Sequence, residues 1–330
     1  MKTTSDFYLK SPYKEANNLN QYKGMWHSHM ASSFPNPKEA QYICREGGYS
    51  FVGVTEHDNK FIKLPWTEKD WTEGNSDDFV MIRGFEATHP IGHITCLGLL
   101  PDQVGVNSVA AHRRRFEKID IDAGYERFIE KAVSQGAFLC LNHPSKWLNN
   151  VDELVSWPGF ASIHALEIYN GNRTAKSIEE GYPISILDQC LDRNIKIWAA
   201  ANPDCHRWDV KLFDGPFNGY SVVFAEELTR EAILTGLKEG RFYASTGLEV
   251  QEIKVSDDSI TVYSSQATTI SFIGAGGKII KQVNGESASY QFTGNEKYIR
   301  VQLKSDHVPD LRVPGFPVKA WLQPVWVCTD

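Results

Sequence analysis

Residues 22–29, Tyr22-Lys23-Gly24-Met25-Trp26-His27-Ser28-His29, form a short strand-like run that closes on two histidines. Side chains two apart in an extended chain point the same way, so both imidazoles can reach one ion. Taken alone, the pair reads as readily as two solvated surface histidines. The segments that follow change that reading. Residues 50–55 run into Glu56-His57-Asp58, 79–86 end on Glu86, 93–99 begin on His93, 137–142 lead to His143-Pro144, and 196–201 lead into Asn202-Pro203-Asp204-Cys205-His206. Together with 22–28, 165–169 and 220–224 they make eight candidate strands, short, apolar and rich in β-branched or aromatic residues. Most of the ten histidines therefore stand at strand ends. In a barrel of parallel strands the C-terminal ends converge on one face, so remote segments deliver their side chains to one cluster.

Between these runs, residues 37–45, 123–134, 177–192 and 229–238 read as helices. Asn36 is a cap before Pro37, and Gly47, Gly136 and Gly240 stand where helices stop. This alternation predicts an α/β architecture over residues 1–247. After Thr246 the texture changes to short alternating segments, 249–263, 268–273, 278–283, 289–292 and 298–303, separated by Gly, Asn, Asp and Ser. Residues 248–330 read as a small C-terminal antiparallel, sandwich-like β domain. Gly274 to Gly277 is followed by a strand-like run rather than a helix, so it reads as a hairpin turn and not a phosphate loop.

At 330 residues the chain suffices for one large domain plus a small one, at about 100–200 residues each. Hydrophobic residues at 42% against 23% charged exclude collagen-like and disordered classes. No apolar run approaches the ~20 residues that cross a bilayer, and residues 1–20 lack a signal-type apolar core. A net charge of −7 argues against nucleic acid as the main partner. Six scattered cysteines without a Cys-x-x-Cys pair read as reduced thiols of a cytoplasmic protein, or of a periplasmic one whose leader was removed.

The ordered motifs His27-Ser28-His29, Thr55-Glu56-His57-Asp58, Glu86, His93, Asn142-His143-Pro144 and Asp204-Cys205-His206 resemble the PHP (polymerase and histidinol phosphatase) family of metal-dependent phosphoesterases. Residues 240–247, Gly-Arg-Phe-Tyr-Ala-Ser-Thr-Gly, and the β-rich tail ending at 320–327 look like the branch that contains carbaryl hydrolase. The resemblance spans almost the whole chain and implies a distorted seven-stranded β/α barrel, related to the TIM barrel, holding two or three zinc, manganese or iron ions. Eight strand candidates are one too many for it. By motif position, His27, His29, Glu86 and Asp204 would hold one ion. Glu86 would bridge to a second held by His93 and His143, and His57 and His206 would face a third. The family usually carries Asp or His five or six residues after the second histidine, where this chain has Phe34 and Pro35, so the third position is short of a ligand. Glu56 replaces the more usual Asp, a change expected behind the ligands. His89 is the alternative to His93.

Cys205, between two ligands at alternate spacing, should point away from the metal as a packed thiol. Arg113 to Arg115 read as a solvated helix face, whereas Arg173 and Arg207 each follow a strand end and suit a substrate anion. Glu167 fits a partner behind the ligands or a structural carboxylate, and His112, His164 and His307 receive no role. Trp26, Trp66, Trp71, Trp147 and Trp208 suit either a cleft or core packing.

The leading expectation is a phosphoesterase whose metal-bridging hydroxide cleaves a small phosphorylated substrate, with His57 or His206, if free of a third metal, protonating the leaving group. A carboxylic ester, amide or carbamate hydrolase with the same centre is the runner-up. A metal-containing binding module without turnover is the third reading. Oligomeric state is open.

Overall fold

The computed structural model describes residues 7–31, 33–34, 36–58, 69–88, 93–104, 121–144, 151–157, 159–208, 215–306 and 316–329. Its strands are β1 (Tyr8–Lys10), β2 (Asn20–Met25), β3 (Phe51–Val54), β4 (Val80–Ala87), β5 (His93–Leu97), β6 (Phe138–Asn142), β7 (Ala165–Asn170), β8 (Trp198–Asn202), β9 (Tyr220–Ala225) and β10 (Phe242–Ser245). The C-terminal strands are β11 (Glu252–Val255), β12 (Ser259–Tyr263), β13 (Thr269–Gly274), β14 (Lys278–Asn284), β15 (Ser287–Gln291), β16 (Tyr298–Ser305), β17 (Val318–Leu322) and β18 (Val325–Cys328). All eight strands expected between 22 and 224 are present.

One large sheet has the order β1-β18-β16-β17-β10-β9-β2-β3-β4-β5-β6-β7-β8, with β13 and β14 added beside β16. The fold is mixed α/β, but unlike those of the barrel of parallel strands invoked for the strand ends, its strands do not all run parallel. β2-β3-β4 and β6-β7-β8 are parallel runs, whereas β5 lies antiparallel to both β4 and β6, and β9 antiparallel to β2. The reversed β5 explains why its histidine stands at its start. His93 opens an antiparallel strand and so reaches the same edge as the C-terminal ends of its parallel neighbours.

β2 and β8, far apart in the ladder, also meet. Ser28 and Cys205 form a parallel bridge, His29 N donates to Cys205 O at 2.9 Å, and Asn202 Oδ1 accepts from Trp26 N at 2.9 Å. A shared interior follows. Trp26, Phe51, Ile82, Leu97, Phe138, Cys140, Ala165, Ala200 and Phe242 belong to one buried cluster, with Trp26 edge-on to Phe138 and Phe242. Trp26 and Trp71 are thus core residues, not cleft linings, while Trp66 and Trp147 lie outside the described residues.

The first helix, Pro37–Glu46, starts as expected, with Asn36 Oδ1 accepting from Glu39 N at 3.0 Å. The helix Arg230–Lys238 stops before Gly240, which adopts φ +76°, a value that favours glycine. The helix expected over 177–192 is broken into Ile178–Gly181 and Ile184–Asp192, because Pro183 cannot continue a helical ladder. The segment expected over 249–263 is a hairpin of β11 and β12 rather than one strand. Gly274 to Gly277 joins antiparallel β13 and β14, as a hairpin turn should. β11, β12 and β15 form a separate three-stranded sheet. No helix among the described residues is long and apolar enough to cross a membrane, and all six cysteines are free.

His164 illustrates how burial and a backbone donor fix a protonation state. Leu139 N donates to its Nδ1 at 3.1 Å, which requires that nitrogen to be bare. Burial, assisted by the nearby Lys238, lowers its pKa from 6.5 to about 4. The unfolded chain then takes up a proton that the folded chain refuses, so this contribution to stability is complete above pH 6.5 and is lost as pH falls toward 4. Denaturant unfolding of wild type and His164→Gln should show the stability difference shifting toward the variant over that window. A difference independent of pH would count against the assignment.

Candidate metal centre

Each side chain of the centre is delivered by a strand end. His27 and His29 follow β2, His57 follows β3, Glu86 lies near the end of β4 and His93 begins β5; His143 follows β6, and Asp204 and His206 follow β8. Two of these positions carry unusual backbone, φ +34° at His143 and +51° at Asp204. Non-glycine residues in that region are uncommon and cluster at functional sites.

Glu86 is the hub. Its side chain is buried, and its oxygens lie 3.1 Å from His27 Nε2, 3.5 Å from His29 Nε2, 2.8 Å from His57 Nδ1, 3.0 Å from His93 Nδ1 and 3.4 Å from His143 Nε2. Asp204 Oδ1 lies 3.3 Å from both His27 Nε2 and His29 Nε2, and 3.4 Å from His206 Nδ1. Burial acts to raise both carboxyls, yet the neighbouring imidazoles hold Glu86 and Asp204 well below the ordinary carboxylate range. Burial alone would lower His27 and His29, but Asp204, Glu86 and flanking carboxylates push His27 well above 6.5 and His29 to about 9. His206, at the mouth with 40% of its side chain exposed, is lowered to about 4 by burial and by His29.

The donor set fits divalent cations. Within the cluster, His27, His143 and Asp204; His27, His29 and Glu86; His57, Glu86 and His93; and His29, His57 and His206 each offer ligand atoms within 4.8 Å of one another. His29 Nε2 and Glu86 Oε2 are buried without a hydrogen bond, and mixed imidazole and carboxylate donors suit zinc, manganese and iron. All eight expected ligands, His27, His29, His57, Glu86, His93, His143, Asp204 and His206, therefore lie in one cluster.

The other candidates are placed as follows. Phe34 is buried edge-on against Trp208 at 5.2 Å and offers no ligand, while Pro35, His89, His112, Arg113 to Arg115 and His307 lie outside the described residues. Trp208 donates to His29 O at 3.0 Å and so braces the turn that carries His29. Cys205 is a buried thiol in the core, outside any disulfide, with its Sγ 3.5 Å from Arg207 O. Arg173 sits in the short helix Gly171–Thr174 that follows β7, its buried Nε without a hydrogen bond. Arg207 is exposed beside His206.

Further residues join the site, Glu56 among them as expected behind His29. Glu56 Oε2 lies 3.8 Å from His29 Nδ1 and its Oε1 accepts from Ala31 N at 2.7 Å. Asn142 Nδ2 donates to Glu86 Oε1 and to Thr95 Oγ1, each at 2.9 Å. Asn170 Nδ2 lies 3.2 Å from Asp204 Oδ2, and Asn172 Nδ2 3.3 Å from Asp204 O. A signal for the asparagines was present, since β6, β7 and β8 each end on one: Asn142, Asn170 and Asn202.

No family model and no curated protein sequence matches the chain. A crystal structure from Bacteroides vulgatus superposes with a TM-score of 0.50 at 16% identity, covering 96% of this chain and 98% of that one. It is described as a two-domain protein containing a predicted PHP-like metal-dependent phosphoesterase. The two chains share a fold.

Metal ligation requires bare imidazole nitrogens, whereas the surrounding carboxylates raise the pKa of both His27 and His29. Loading chelator-stripped protein with zinc at pH 7 should therefore release at least about one proton per chain. Calorimetric titrations in two buffers of different ionisation enthalpy should then give different apparent heats. Equal heats would contradict these raised pKa values.

Proposed function

We propose that the chain is a PHP-type metal-dependent hydrolase, a phosphoesterase acting on a small phosphorylated molecule. The observation that carries this reading is the convergence of six imidazoles and two carboxylates from separate strand ends, with five of those imidazoles around Glu86. The shared fold supports the same reading. The Ser28–Cys205 bridge supports a distorted seven-stranded barrel of β2 to β8, with β9 outside it as the eighth strand. The separate sheet β11-β12-β15 supports a C-terminal β unit over 248–330.

In this reading His27, His29, Glu86 and Asp204 hold one ion, and Glu86, His93 and His143 hold a second. His57 and His206 face a third position, where Phe34 supplies no ligand and His29 lies nearby. Divalent ions in such a site supply Lewis acidity, lowering the pKa of water and neutralising charge on phosphoryl oxygens. The chain's own residues do the rest. Arg173 and Arg207 bind and orient the substrate anion. With no third ion bound, His57, its side chain 18% exposed, is placed to hand a proton to the leaving oxygen, whereas His206, lowered to about 4, suits that role only at acidic pH.

Protein loaded with zinc, manganese or iron should release phosphate from members of a broad phosphomonoester panel and lose that activity on chelation. Arg173→Met should raise KM by about 10- to 100-fold, the worth of a charged hydrogen bond, with a smaller change in kcat. Absence of phosphate release across the panel would refute the assignment, and hydrolysis of aryl esters or carbamates in its place would move it to carboxyl substrates.

A further inference from the structure

Glu167, on β7, is completely buried and contacts three segments of the centre at once. Its Oε1 lies 2.8 Å from His27 Nδ1. Its Oε2 accepts from His143 N at 2.9 Å and from Asn170 Nδ2 at 2.7 Å. The same Asn170 amide reaches Asp204 Oδ2 at 3.2 Å. Both left-handed ligand positions, His143 and Asp204, are therefore tied to one carboxylate, directly or through one amide. Glu167 belongs to none of the groups whose ligand atoms cluster within 4.8 Å, and three donors already occupy its oxygens. It is not itself a ligand.

We propose that Glu167 is the positioning residue of the metal centre: it holds the Nδ1–H tautomer of His27, so that Nε2 faces Glu86 and Asp204, and fixes the backbone turns that present His143 and Asp204. This rests on the metal-centre reading above. A carboxylate only accepts, so the three donors that converge on Glu167 are satisfied together. Glutamine at this position offers one acceptor oxygen and one NH2 group, so at least one of the three donors would meet another donor. A carboxylate behind a ligating histidine orients the ring and sharpens metal affinity, and its loss typically costs about 10- to 100-fold in binding.

The test is cobalt(II) titration of chelator-stripped full-length protein, read by visible absorption, alongside melting of the metal-free forms. Glu167→Gln should bind cobalt about 10- to 100-fold more weakly, with an altered absorption band. Imidazole nitrogen NMR of the zinc-loaded proteins should find His27 Nδ1 protonated in wild type and its tautomer no longer fixed in the variant. A purely structural role would lower the melting point while leaving the cobalt spectrum and tautomer unchanged, and that result would overturn the proposal. Should Glu167→Gln not fold, Asn170→Ala carries the test, because it removes the amide that links Glu167 to Asp204, together with the cap on Arg173 N, and leaves the contacts of Glu167 with His27 and His143 in place. It should weaken cobalt binding while keeping the His27 tautomer, and wild-type affinity in that variant would likewise overturn the proposal. Failure of wild type itself to bind cobalt would instead overturn the metal-centre reading.

Discussion

A buried carboxylate surrounded by imidazoles is the constraint on which the rest of the structure depends. Glu86 is out of contact with water, with five histidine rings within 3.5 Å of its oxygens. Burying one unpaired anion is costly, and Asp204 and Glu167 add two more within the same shell. Positive charge must reside among them, as imidazolium or as bound cation. The two alternatives compete for the same nitrogens, and the carboxylates raise the pKa of His27 and His29 accordingly. The strands beneath are small and apolar at Ala165, Ala200 and Cys140, while Trp26 and Phe138 fill the interior. That packing brings the strand ends close enough for the charges to interact.

Much of this centre was legible because ligands must stand where strands stop, and strand ends are marked by changes in residue type. His27, His57, Glu86, His143 and Asp204 each terminate or immediately follow an apolar run of the right length. The direction of β5 was not legible, because a short apolar run looks the same in either orientation, and only His93 at its start hinted at the reversal. The break at Pro183 was available locally and was outweighed by the helical periodicity on either side. Glu167 and the asparagines that close β6, β7 and β8 were harder to assign. Their roles are defined by partners dozens of residues away, and a polar residue at a strand end is compatible with many duties. Which of these side chains group together is likewise a matter of distances: His29 lies close to His57 and His206, a proximity that spacing along the chain does not express.

The C-terminal strands bear on the same centre through β7. Ile168 and Tyr169, beside Glu167, share a core cluster with Ile186, Leu187, Cys190 and Leu191 of the helix Ile184–Asp192 and with Tyr298, Trp321 and Trp326 of β16, β17 and β18. The opposite side of that helix is held by charge. Arg300 of β16 makes two bonds to Asp188, at 2.7 and 2.8 Å, and Asp192 accepts from Gly276 N at 3.0 Å and from Tyr298 Oη at 3.1 Å. Removing one member of a buried pair of this kind costs about 3–5 kcal/mol, because its partner is left charged and unpaired. The helix therefore sits between β7 and the C-terminal strands, packed on one side and ion-paired on the other. β7 also carries Glu167 and Asn170, which reach His27, His143 and Asp204, so a continuous series of buried contacts joins the C-terminal strands to that cluster. A shift of β16 would have to move through Asp188, the helix and β7 before reaching an imidazole, and each of those contacts is buried and close-packed.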